Sequence, residues 1–86
     1  MKIETDSNRG KKTLRLIGRL QAEHIAEVEV EIEKSSTRRV CLKEVTLVDA
    51  DVVRFLVASQ ESGISIVNCS PYIREWMDRE RQQRDS

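Results

Sequence analysis

Aromatic side chains are nearly missing from this chain: one Phe, one Tyr and one Trp among 86 residues. A core must therefore be built from aliphatic side chains, and a chain this short has material for one modest core. A charge excess is missing too, since 15 Lys and Arg face 15 Asp and Glu. Domains whose main task is gripping a nucleic-acid backbone carry a basic surplus, so no nucleic-acid partner is expected. Long apolar runs are absent. The MKIETDS start is not a secretory signal, and nothing approaches the roughly 20 apolar residues of a membrane span. The expectation is a soluble, cytoplasmic protein with no membrane insertion. Cysteine is limited to Cys41 and Cys69, outside any CxxC pair, and His24 is the only histidine. That excludes a zinc site of the usual spacing, and no cofactor is expected. Both thiols are expected free and buried inside strands.

What is present is a repeated strand–junction–helix pattern. Residues 2–7 and 13–20 read as strands joined by Ser7-Asn8-Arg9-Gly10, with Leu14 and Leu16 alternating against Arg15 and Ile17. Residues 21–34 fit two patterns. Val28 to Glu33 alternates as a strand would, whereas Ala22, Ile25, Val28 and Ile32 trace a helical stripe. Arg39 to Lys43 reads as a strand whose run Val40-Cys41-Leu42 suits cover on both faces. Thr46 to Val48 then leads into Asp49-Ala50-Asp51 and an amphipathic helix that stops at Gly63. Ile64 to Val67 forms a last strand. Ser70-Pro71 opens a final helix by a strong local rule, with Ser capping and Pro in the first turn. Tyr72 and Trp76, four apart, are expected to pack that helix onto the sheet. The tail after Met77 has no apolar residue, so residues 78–86 are expected to fray. Neither repeats nor linkers interrupt the chain, which reads as one domain over residues 1–86.

Charge is unevenly spread. Arg9, Lys11, Lys12, Arg15 and Arg19 precede a segment carrying Glu23, Glu27, Glu29, Glu31 and Glu33. Two solvated faces explain this most simply, with an electrostatic docking surface as the alternative.

Three pieces carry a resemblance: the Leu14–Leu20 strand with its Gly18, the apolar-Asp junction at Asp49, and Asn68-x-Ser70-Pro71-x-x-Arg74. In this order and spacing they resemble the STAS domain family, the fold of bacterial anti-sigma factor antagonists, over about residues 2–80. The resemblance makes residues 21–34 a helix. It implies an α/β fold, a small mixed β-sheet of about four strands flanked by three helices. Similar domains continue into a further strand and helix, so an open sheet edge is expected here, covered by a partner or a second copy in a homodimer. In that family the first hydroxyl after the junction Asp is the phosphorylation switch. Here that place is Ala50, followed by Asp51 and Val52, none of which accepts phosphate from a serine kinase.

The resemblance implies a non-catalytic interaction module that binds a protein partner, an anti-sigma factor serine kinase, without phosphorylation control at the junction. Asp49, Ala50, Asp51, Val52, Arg54 and Phe55 are the expected contact surface. Val52 and Phe55 are expected to point away from the inward stripe of Val53, Leu56, Val57 and Gln60. An alternative within the fold is an accessory subunit of a membrane transporter. The acidic junction has three readings of its own. A carboxylate there caps the helix, Asp51 partly imitates a phosphorylated state, or Asp49-Ala50-Asp51 is a magnesium-dependent phosphatase motif. The last lacks the further Ser/Thr, Lys and acidic motifs such enzymes need. His24 has no nucleophile motif beside it and is expected to be solvated or locally bonded.

Overall fold

Two left-handed residues close the first hairpin. Arg9 and Gly10 both have positive φ, at 52° and 80°, the signature of the type I′ turn that matches strand twist. They join β1 (Lys2–Asn8) to β2 (Lys11–Leu20) in antiparallel register, with Asn8 opposite Lys11 and Lys2 opposite Ile17. The computed structural model describes residues 1–84. After β2 come a 3-10 turn (Ala22–His24), α1 (Ile25–Ser35), β3 (Arg39–Val48), α2 (Ala50–Glu61), β4 (Ser65–Val67) and α3 (Pro71–Arg84). The sheet runs β1-β2-β3-β4, and β2, β3 and β4 are parallel. The expected four strands and three helices are all present, and residues 21–34 are helical apart from their 3-10 start.

The strand β3 is longer than its hydropathy pattern implied. Its buried positions are Val40, Leu42, Val45 and Val48 on the core side, separated by the exposed pairs Lys43-Glu44 and Thr46-Leu47. Register shifts against β2 fall between Arg15 and Ile17 and between Gly18 and Arg19. Each inserts one extra residue, so alternation fails and the sequence reads as two pieces. Gly18, with φ of 93°, sits at the second shift in backbone that a side chain would strain.

All three helices pack on one face of the sheet. Val28, Val52, Val53, Leu56, Val57, Ile73 and Met77 form one buried cluster with Leu14, Leu16, Leu20, Val40, Leu42, Val45 and Val48. The opposite face carries Arg15, which contacts Glu4, Asp6 and Glu44 in half-exposed ion pairs. Cys41 pairs with Arg15 and Val67 and so lies on this outer face. Expected cover on both faces is therefore corrected: β3 is covered by helices on one side. Cys41 is still only 9% exposed, with the Asn68 amide donating to its sulfur at 3.3 Å. Cys69 departs from expectation as well. It follows β4 rather than lying within it and is half-buried.

Helix ends obey local rules. The N–H of Ile64 donates to Ser59 O at 3.0 Å and that of Gly63 to Gln60 O at 3.0 Å, the paired bonds of a Schellman stop with Gly63 in the left-handed place. At the start of α3 the Ser70 hydroxyl accepts the Ile73 N–H at 3.3 Å. The helix then continues through Arg84, against the expected fraying from residue 78, and residues 85–86 lie outside the described residues. Ion pairs Arg79–Glu75 and Arg81–Asp78, at 2.9 and 2.8 Å, line its solvent side. Ile73 and Met77 anchor it. Trp76 is half-buried against the core, as expected, whereas Tyr72 is 57% exposed and meets Trp76 edge to face at 5.8 Å.

Candidate functional site: the β3–α2 junction and the groove above α2

The parallel strands β2 and β3 deliver their carboxyl ends side by side, with Leu20 in register with Val48. The chain leaves β3 through Asp49, whose extended backbone (φ −111°, ψ 178°) makes it the cap of α2. One carboxylate oxygen of Asp49 accepts the Val52 N–H at 2.9 Å, and the other accepts the Ala22 N–H at 2.8 Å. Both donors are amides that the start of a helical segment leaves unpaired. A single side chain therefore caps α2 and ties down the 3-10 turn. These bonds, Val52 first and Ala22 second, hold the Asp49 carboxyl below its ordinary value of 3.8, because they favour the charged form. Beside it, His24 Nδ1 accepts the Gln21 N–H at 3.1 Å, so His24 is locally bonded.

Ala50 is the half-buried first residue of α2 and bears no hydroxyl. Asp51 is exposed and accepts a hydrogen bond from Arg54 at 3.0 Å, one turn on. Arg54 also lies 3.8 Å from Glu80 of α3, whose side chain is only 12% exposed. Val52 is a correction. It is fully buried in the core and cannot belong to a contact surface. The expected inward stripe left it out because it assumed a single wall. Buried positions 52, 53, 56, 57 and 59 span an arc of about 160° at 100° per residue. Phe55 is half-buried, packed against the rim of the core.

Above α2 these residues join others that the sequence did not single out. Asp51, Arg54, Phe55 and Ala58 form the floor of an open groove of about 690 Å³. Ile25 and Glu29 of α1 form one wall, and Glu80 and Gln83 of α3 the other. No motif joins three helices, so only the fold brings this set together. Among the described residues, no three or more His, Cys, Asp or Glu side chains are placed to hold a metal ion. Asp49 has both carboxylate oxygens committed to backbone amides. It is therefore poorly placed to act as the nucleophile of a phosphatase motif.

No protein-family model matches this chain, and no curated protein matches it by sequence. Among solved structures, the anti-sigma factor antagonist SpoIIAA in its unphosphorylated form is similar, with a TM-score of 0.59 and 16% identity. The match covers 86% of this chain and 79% of that one. At this identity the likeness is one of fold. Sheet composition, helix order and the superposition agree: the chain has the STAS fold, that of an anti-sigma factor antagonist.

Proposed function

We propose that this chain is a non-catalytic protein-interaction module of bacterial signalling, acting in the cytoplasm in the manner of an anti-sigma factor antagonist. Its partner is a serine-kinase anti-sigma factor, and the contact surface is the groove floor of Asp51, Arg54 and Phe55 beside the half-buried Asp49 and Ala50. One observation carries the reading. The junction keeps a capping Asp49 that fixes the start of α2, while Ala50 supplies no hydroxyl for a phosphate. The scaffold of a switch is kept without its acceptor, so binding here is not controlled by phosphorylation at residues 49–53. Asp51 adds a fixed charge at the first turn of α2, already shared with Arg54. That charge is about one unit where a phosphate would bring roughly 1.5–2.

The test uses the serine-kinase anti-sigma factors encoded in the same genome. Each is mixed with the chain, with and without ATP. Binding that ATP leaves unchanged, with no phosphate at 49–53 by mass spectrometry, is the expected result. Failure of every such kinase to bind, or magnesium-dependent hydrolysis of p-nitrophenyl phosphate by the chain, would overturn the proposal.

A further inference from the structure

At the opposite end of the sheet lies a second concave site. Strands β2, β3 and β4 all begin there, roughly 30 Å from the Asp49 junction along a ten-residue strand. The depression, about 520 Å³, is lined by Lys11 and Lys12 from the hairpin, Arg38 and Arg39 before and within β3, and the serines Ser36 and Ser65. No Asp or Glu among the described residues lines it. Among the described residues, none of these four cations makes an ion pair, whereas Arg15, Arg54, Arg79 and Arg81 each do.

Four like charges at one concave site repel one another, and the fold does not require them. Cations do gather at helix C-termini to meet free carbonyls, and α1 ends here. Two of those carbonyls are already served by the backbone: Ile32 O accepts the Thr37 N–H at 3.1 Å and Glu33 O accepts the Ser36 N–H at 3.3 Å. Lys11 and Lys12 come from a different element altogether. The backbone beneath is fixed, since the Ser65 N–H donates to Arg38 O at 2.8 Å and Arg39 is in register with Ser65.

We infer that this depression binds a compact ligand carrying closely spaced phosphates. Two guanidinium forks suit phosphate oxygens in bidentate fashion, two ammonium groups add point charge, and two serine hydroxyls donate alongside. Four positive charges call for at least two phosphates. A long nucleic acid fits poorly, because the chain is neutral overall and α1 displays Glu27, Glu29 and Glu33 on its exposed surface. The phosphates come either from a free polyphosphate or from a phosphorylated lipid headgroup.

Titration of the whole chain with sodium tripolyphosphate at constant ionic strength, followed by amide NMR and calorimetry, tests the site. Expected is saturable one-to-one binding at least about tenfold tighter than for sulfate. Shifts should be confined to residues 10–12, 35–39 and 65. The double variants Lys11→Ala/Lys12→Ala and Arg38→Ala/Arg39→Ala should each weaken binding by about tenfold or more, while Arg54→Ala leaves it unchanged. A parallel arm sediments the chain with phosphatidylcholine vesicles, with and without a bisphosphorylated inositol lipid. Retention on the lipid-bearing vesicles alone, sensitive to the same variants, assigns the phosphates to a headgroup. Saturable binding of tripolyphosphate without vesicle retention assigns them to a free anion. Two results overturn the inference: no saturable binding in either arm, or undiminished binding by the lysine variant when its melting curve shows it folded.

Discussion

The Asp49 carboxylate accepts the backbone N–H of Ala22 at 2.8 Å across 27 positions of chain. Its other oxygen serves Val52, so the exit of β2 and the start of α2 share one anion. Sequence predicts the second bond, because Asp before an amphipathic helix is a cap. It does not predict the first, which needs β2 and β3 to be parallel neighbours in the observed register.

Replacing Asp49 by Ala should therefore cost about 1–3 kcal/mol, more than an ordinary cap, since a charge-assisted bond is lost with it. The pH dependence carries a sign. Asp49 has a folded-state pKa below the ordinary 3.8, so its contribution is full above that value and vanishes as pH falls through the lowered folded value. Thermal melts of the wild type should lose stability progressively between about pH 5 and 2, and Asp49→Asn should flatten part of that slope. Equal acid slopes in both proteins would mean the carboxylate is not favoured by folding.

Phe55 and Leu56 are adjacent, and their substitutions should separate binding from folding. Leu56 is fully buried, and Leu56→Ala should cost about 2–5 kcal/mol. Phe55 is half-buried at the groove floor, so Phe55→Asp should cost only about 1–2 kcal/mol of burial. Far-UV circular dichroism should be retained and partner binding lost. Collapse of the Phe55 variant to the stability of the Leu56 variant would place Phe55 in the core proper.

The parts of the fold written in neighbouring residues were legible. Arg9-Gly10 marks a hairpin, Gly63 a helix stop, and Ser70-Pro71 a helix start, because each acts within a few residues of itself. Features that depend on a second element were not. The bulges of β3 adjust its register to β2 and erase period two, which shortened the strand on paper. Val52 looked outward because one wall was assumed where α2 is buried over a wider arc. At the candidate site, the junction pointed to Asp51, Arg54 and Phe55, which line one groove. Ile25, Glu29, Glu80 and Gln83 carry no signal in sequence, since their only relation is proximity across three helices.

The two thiols should differ in reactivity. Cys41 is nearly enclosed and its sulfur accepts the Asn68 amide. Cys69 is half-buried, and burial raises its thiol pKa above the ordinary 9.0, chiefly by disfavouring the thiolate. Native protein should label first at Cys69, more slowly than a free thiol at neutral pH and faster as pH rises. Cys41 should react only once denaturant is added. Prompt labelling of Cys41 in the native state would show that the outer sheet face opens readily near Asn68.

Self-association through β4 should be weak and concentration-dependent. The strand pairs with β3 on one side and ends the sheet on the other, so its outer edge can pair with another chain. Near it, in a depression shared with Ile66 and Cys69, Gln60 keeps a buried Oε1 with no hydrogen-bond partner, which an added donor would satisfy. The strand is only three residues long. A few backbone hydrogen bonds at about 1 kcal/mol each fall short of the roughly 4–15 kcal/mol cost of association unless apolar surface is buried with them. Sedimentation should show monomer at low micromolar concentration and a reversible dimer only toward the millimolar range. Val67→Lys, which adds charge at this edge, should abolish the dimer. A strictly monomeric wild type at every concentration would show that shortness alone protects this edge. Dimer persisting in the Val67 variant would place the contact elsewhere, with the outer face around Arg15 the next surface to vary.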